Sequence, residues 1–402
     1  MPAATLQIPA ELKSNRIQSV DLLRGLVMII MALDHTRDFF HAGAFTGDPL
    51  DAANTTAPLY FTRWVTHFCA PSFVFLAGLS AWLQGIRKSK RELSRFLITR
   101  GLWLMLLEVT VVNFGITGDI YFSYFILQTI WSIGISMFFL GFVILLPYQI
   151  ILSLGLLIVF GHNLLDDAER ARQGAVPLWW NFLHLPKVVP LGGGRSLGIF
   201  YPFLPWTGLM ILGYCSGKIF TRYKPEQSNK ILLLLGIVAL LLFMVLRFSN
   251  VYGDPGSWST QKNAMRTFFS FMNVQKYPPS LLFMCATIGG ALLFLFFFRN
   301  AKGWWTKIIK VYGRVPFFYY ILHFYLLNML SVIDYLSRGH TLAEGVKGIP
   351  GLPFKFTTPG EGYNLWVVYA VWISVVVLLY PLCKWYDAYK LNHKEKWWLS
   401  YL

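Results

Sequence analysis

The chain has 402 residues, of which 55% are hydrophobic, 17% aromatic and only 13% charged, with a mean hydropathy of +0.51. Soluble domains carry about 25% charged residues, so the composition describes an integral membrane protein with little room for a separate soluble domain. The net charge of +16 would suggest nucleic acid in a soluble protein. In a membrane protein it reads as basic cytoplasmic loops facing anionic lipid headgroups, and no nucleic-acid partner is expected.

The segment up to Lys13 has neither a basic start nor an apolar centre, so it is not a cleavable signal peptide. Residues 1–16 are expected to be a cytoplasmic N-terminal segment, and the first apolar span acts as the insertion signal. Apolar runs long enough to cross a bilayer, about 17–25 residues, fall near 17–35, 58–85, 97–116, 121–146, 148–165, 198–220, 230–249, 280–298, 311–336 and 363–383. The fold expected is an all-α polytopic bundle of about ten transmembrane helices. One transmembrane domain would fill 17–385, followed by a cytoplasmic tail over 386–402. Pro147-Tyr148 alone separates the fourth and fifth runs, which predicts a tight helical hairpin.

Four basic clusters set the expected orientation: Arg87 to Arg95 after the second run, Lys218 to Lys230 after the sixth, Arg299 to Lys310 after the eighth and Lys384 to Lys396 after the tenth. With ten crossings all four lie on one side. Short basic loops stay in the cytoplasm, so both termini are expected there. The opposite loops, near 36–57, 163–197, 250–279 and 337–362, are longer and carry turn chemistry such as Gly192-Gly193-Gly194 and Tyr277-Pro278-Pro279. Loops of that length in a compact domain are usually functional. The four cysteines lie in or beside apolar runs with no Cys-x-x-Cys spacing, so neither a disulfide framework nor a zinc site is expected.

The first run holds the chemistry. Asp21 and Arg24 stand at its start, and Asp34, His35, Asp38 and His41 crowd its far end. A charged side chain within a bilayer costs at least about 2.5–3.5 kcal/mol on insertion scales, so such residues are rare, paired and functional. Arg24 and His35 are eleven residues apart, which on a helix returns to within about 20° of the same face about 16 Å further along. Asp21 is spaced to pair with Arg24. If the helix continues, His35, Asp38 and His41 share a face, and a carboxylate beside an imidazole makes a general base.

Ser19-Val20-Asp21-x-x-Arg24-Gly25 ahead of an apolar run resembles the start of the heparan-α-glucosaminide N-acetyltransferase catalytic domain and, more closely, its bacterial relatives. Phe68-Cys69-Ala70-Pro71-Ser72-Phe73-Val74-Phe75-Leu76-Ala77-Gly78 is similar to that family's Pro-x-Phe-Val-Phe-x-x-Gly span. Tyr201-Pro202-Phe203-Leu204-Pro205-Trp206-Thr207-Gly208 with Leu212-Gly213-Tyr214, and Tyr312-Gly313-Arg314 through His323, resemble signatures of the bacterial branch. Any one of these is weakly specific; their shared order over nearly the whole chain is strong. The resemblance implies transfer of an acetyl group from cytoplasmic acetyl-CoA to a glucosamine amine across the membrane, and implies dimerisation; no metal is expected. Its key histidine, lying some distance after the first span, is best matched by His41, since the lysosomal enzyme would hold Asn where this chain has His35. A wider resemblance, to membrane acyltransferases that O-acetylate bacterial surface glycans through an Arg and a His separated by ten residues, matches Arg24 and His35 instead. Both histidines stand as candidates, with Asp34 and Asp38 as partners and His35 slightly favoured by the helix-face spacing.

A coenzyme A head carries a 3′-phosphate and a diphosphate, which arginine's planar fork clamps well. Arg24, Arg91, Arg95, Arg100 and Arg314 are the candidates, Arg100 most of all because it lies inside an apolar run. Glu108 and His323 are costly in lipid and are expected to face the interior. His323 is read as orienting the acceptor or shuttling a proton. His67 is a second substrate candidate, although the lysosomal enzyme would have an acidic residue there. Asn113, Gln128 and Asn328 read as helix-packing polar groups. The function expected is an acyltransferase of a bacterial inner membrane modifying an extracytoplasmic glycan or amino sugar. A proton-coupled permease is the alternative, since Asp–His pairs also serve proton relays, but no transporter-like internal repeat is visible.

Overall fold

The computed structural model describes residues 17–400; the N-terminal segment expected over 1–16 lies outside them. Helix α1 runs Gln18–Phe40. The second run is α2 (Ala57–Val65), a 3₁₀ turn (Thr66–Phe68) and α3 (Cys69–Gly85) in series. The third is α4 (Lys90–Leu107), a π turn (Glu108–Val112) and α5 (Asn113–Thr117), started by a capping box between Ser89 and Glu92. After strand β1 (Tyr124–Leu127) come α6 (Thr129–Val143), α7 (Tyr148–Gly161) and an excursion of α8 (Leu164–Ala171), α9 (Leu178–Leu183), β2 (Lys187–Gly192) and β3 (Arg195–Ile199). The rest is helical: α10 (Phe203–Arg222), α11 (Pro225–Ser249), α12 (Ala264–Met272), α13 (Leu281–Phe297), α14 (Trp304–Arg314), α15 (Pro316–Ser337), α16 (Leu342–Lys347) and α17 (Leu365–Asn392).

Each of the ten apolar runs contains a helix, and the chain is an all-α polytopic membrane protein with one small sheet. Among the described residues five helical spans are long and apolar enough to cross a bilayer, or six if the bent pair α7–α8 is one span, with α6 and α13 shorter but apolar. Helices α11 and α17 turn bare aliphatic faces outward, including Leu234, Leu241, Val245, Val377 and Leu378, as lipid-facing helices do. Helix α17 continues to Asn392, past the end expected for the last span. The four cysteines are buried free thiols.

Helix α1 is the centre of the bundle, packed by α3, α13, α14, α15 and α17, and 16 of its 23 residues are buried. Its ionisable groups therefore face protein and not lipid, which removes the largest part of their cost. Two glycines let α14 lie directly on α1. A Cβ at Gly25 would sit 2.0 Å from the Ile309 carbonyl oxygen, and one at Gly313 would sit 1.9 Å from that of Asp21. Backbone contact of this kind is how small residues tighten helix pairs in membranes.

Four expectations change here. Helix α1 runs on to Phe40, because Asp34 and Asp38 find arginine partners and the charges need no membrane edge. The fourth run begins as a strand: β1 pairs in parallel with β3, and β3 pairs antiparallel with β2. Asn113, expected to pack helices, instead fixes this strand by donating to the Tyr124 carbonyl (3.0 Å) and accepting from the Ile126 N–H (2.9 Å). Finally, α6 and α7 are joined by a short turn but lean on α10 more than on each other.

Candidate functional site

A cavity of about 460 Å³ lies between α1, α3, α4, α6, α15 and α17. Its walls are apolar (Met28, Phe73, Leu97, Leu104, Ile133, Phe317), and Arg24, Arg100, Arg314 and Lys390 also line it. Arg24 is positioned from three sides. It meets Asp21 (3.3 Å), donates to the Gly313 carbonyl (3.2 Å), and donates to Ser80 Oγ (2.9 Å). Arg314 is held by Asp387 at 2.7 Å. Arg91 and Arg95, expected beside them, are exposed on the outer side of α4 and do not line the cavity. The helix period turns Arg100 inward and leaves the other two outside.

A second cavity, of about 100 Å³, shares Phe73 and Thr129 with the first. Its lining is polar: Asp34, His35, Arg37, Asp38, Arg63, Gln128, Tyr201, Lys276 and Tyr277. The small sheet and the π turn shape this wall. β1 ends at Leu127 and delivers Gln128, whose N–H donates to Glu108 Oε1 at 2.7 Å, and β3 leads into Tyr201. Glu108 is thus an interior carboxylate with a structural partner.

His35 lines the second cavity. Its Nδ1 is 2.7 Å from Nε2 of His323, and the Phe324 ring stacks on it with centroids 4.2 Å apart. His323 is fully buried, and its Nδ1 lies 3.2 Å from the Tyr319 carbonyl oxygen one helical turn back. A carbonyl can only accept, so that nitrogen carries the proton. His323 Nε2 is then the acceptor, His35 Nδ1 is the donor, and His35 Nε2 keeps a free lone pair. No described residue bonds that nitrogen, and His35 is a cavity-lining residue. The order of bonds sets the tautomer.

The carboxylate expected to support His35 is engaged elsewhere. Asp34 meets Arg63 at 2.5 Å and Arg37 at 3.2 Å, and Asp38 meets Arg37 at 2.6 Å. Guanidinium forks hold carboxylates more strongly than a neutral imidazole does, so the His–carboxylate arrangement gives way to a His–His one. His41 also leaves the stripe. It caps α1 in extended conformation, and its Nδ1 accepts from the Gly43 N–H at 3.0 Å. It lines a separate cavity of about 20 Å³ next to Asp334 and Arg338. His67 is buried against Phe283 with its Nε2 unpartnered and does not line the second cavity. Arg63 and Lys276 were not singled out by their sequence context, and Tyr277 was read only as part of a turn. They reach the cavity from α2 and from the loop before α13. Burial works against the Tyr277 phenolate, but Lys276 and Arg63 outweigh it and bring the phenol below its usual value.

Among the described residues, Asp166, Glu169 and His184 could offer metal ligands, with atoms within 4.8 Å of one another. Each already has a protein partner. Trp180 Nε1 donates to Glu169 (2.5 Å), which also meets His184 (2.9 Å); His184 meets His162 (3.1 Å), and Asn163 donates to Asp166 (2.7 Å). This network ties α8 and α9 to the end of α7.

Residues 16–250, more than half of the chain, match the family described as heparan-alpha-glucosaminide N-acetyltransferase, catalytic. The match takes in α1, Arg63, Phe73 and β1, and ends before Lys276 and His323. No curated protein matches the chain. The chain belongs to this family of transmembrane acetyltransferases.

Proposed function

We propose, with that membership as premise, that the protein moves an acyl group from a cytoplasmic acyl-CoA, acetyl-CoA in the first instance, to a hydroxyl or amine of an extracytoplasmic glycan or amino sugar. One observation carries the reading: an apolar cavity with arginines in its wall shares Phe73 and Thr129 with a polar cavity, and a histidine with a free Nε2 lines the polar one. A volume of about 460 Å³ falls in the range of ligand pockets. Arg24, Arg100 and Arg314 would take the phosphates of the donor, with the pantetheine arm along Met28 and Leu104 and the thioester at Phe73 and Thr129. Both termini and the Arg24 end would then face the cytoplasm of a bacterial inner membrane.

In the transfer step, His35 Nε2 takes the proton from the acceptor hydroxyl or amine as its lone pair attacks the thioester carbonyl. His323 Nε2 accepts the Nδ1–H bond and so stabilises the imidazolium that forms. Collapse of the tetrahedral intermediate breaks the C–S bond, and the proton passes from His35 to the departing CoA sulfur. The same bare Nε2 also permits a transient acyl-His35. The test is acetyl-CoA turnover by the purified full chain with a panel of amino sugars and glycans. CoA release that depends on acceptor supports the reading, whereas a protein that neither binds acetyl-CoA nor releases CoA with any acceptor sinks it.

A further inference from the structure

We propose that Lys276 is an anion-binding residue of the second cavity, and that the acceptor carries a carboxylate or phosphate close to the group that is acylated; this rests on the transferase reading above. Lys276 lies between α12 and α13 and is 9% exposed. Among the described residues its ammonium makes no hydrogen bond and no ion pair. The Tyr277 ring is beside it, with Nζ 5.2 Å from the centroid. A buried cation without a partner is costly, and the same part of the chain avoids that cost elsewhere. Arg247, 2% exposed, donates to the carbonyls of Gly256, Ser270, Phe271 and Asn273 and has Asp254 at 3.8 Å.

The carboxylates near Lys276 are already taken, Asp34 by Arg63 and Arg37 and Asp38 by Arg37. Three cations therefore face two anions around one small cavity, leaving one positive charge unmatched. Arg37 also has its Nε and Nη1 buried without partners. An anionic oxygen entering the cavity would satisfy the ammonium with a charge-assisted bond. Because His35 lines the same space, that anion and the reacting hydroxyl or amine belong to one acceptor. Carboxylate and phosphate share this chemistry, and the probes separate them.

The experiment uses the full chain in detergent, with glucuronate, inorganic phosphate and glucose titrated at constant ionic strength and binding read from thermal unfolding. Either anion should raise the unfolding temperature of the parent while glucose does not, and the effective anion names the acidic group. K276R should keep the response. K276M should lose it, its affinity falling about tenfold or more, as expected for one charge-assisted bond, while acetyl-CoA affinity stays at the parent value and shows the variant folded. No response to either anion in the parent, or a response that survives in K276M, overturns the proposal. An activity loss in K276M that is equal for acidic and neutral acceptors, without anion binding, would place Lys276 on the transition-state oxyanion and also overturn it. Anion binding needs no transfer, so failure to bind acetyl-CoA with the anion response intact would sink the transferase reading alone.

Discussion

The two cavities that meet at Phe73 and Thr129 are built on opposite plans. The larger is walled by aliphatic and aromatic side chains with cations set into it, and the smaller is lined by ionisable and hydroxyl groups. The first suits a long, thin donor with a charged head, because the apolar wall gives burial and the arginines give orientation. The second suits proton transfer, because its two carboxylates are held by Arg37 and Arg63 and an imidazole lone pair is left over. One helix serves both, with Arg24 lining the first and His35 the second.

Breaking the polar cavity should cost most. Arg63 is the closest cation to Asp34, at 2.5 Å, and the two side chains are only 13% and 12% exposed. Arg63→Met strands a carboxylate inside the protein and should cost about 3 kcal/mol of stability, seen as a large fall in unfolding temperature in detergent. His323→Phe should be milder. It keeps an aromatic ring against His35 but removes the acceptor for His35 Nδ1. The expected loss is about ten- to a hundredfold in turnover, below that of removing the base itself, with acetyl-CoA affinity unchanged. The apolar cavity should respond in binding and not in chemistry. Arg100→Gln should raise the KM for acetyl-CoA about tenfold, the worth of one charge-assisted phosphate contact. Arg95→Gln, on the exposed side of the same helix, should leave it unchanged. A KM effect from Arg95 as large as that from Arg100 would mean that the donor lies on the outside of α4.

Much of this was legible in the sequence, because periodicity and burial speak for themselves in a membrane protein. All ten helical runs are visible as apolar stretches, and the Arg24–His35 stripe follows from helix geometry alone. The partners of His35 were not legible as such. His323 is 288 residues away, and nothing local distinguishes a histidine that faces another histidine from one that faces solvent. Asp34 and Asp38 looked like support for His35 because they are its neighbours in sequence. Arg37 and Arg63 claim them in space. Strand β1 was hidden because four residues of Tyr-Phe-Ile-Leu read equally well as the start of an apolar helix. Lys276 sits in a Pro-rich turn whose composition suggests a solvated loop, and only the fold carries it inside.

The central claim is that His35, and not His41, is the base. His35 lines the polar cavity that adjoins the apolar one, with Nε2 free, while His41 lies outside α1 with its Nδ1 bound to the Gly43 N–H. The direct measurement is acyl transfer from radiolabelled acetyl-CoA by His35→Ala and His41→Ala beside the parent, with acetyl-CoA binding measured on each. Removal of a general base costs about 10²–10⁴-fold. The account predicts that loss for His35→Ala at parental donor affinity, and turnover near the parent for His41→Ala. The reverse pattern, with His41→Ala inactive and His35→Ala active, would contradict it.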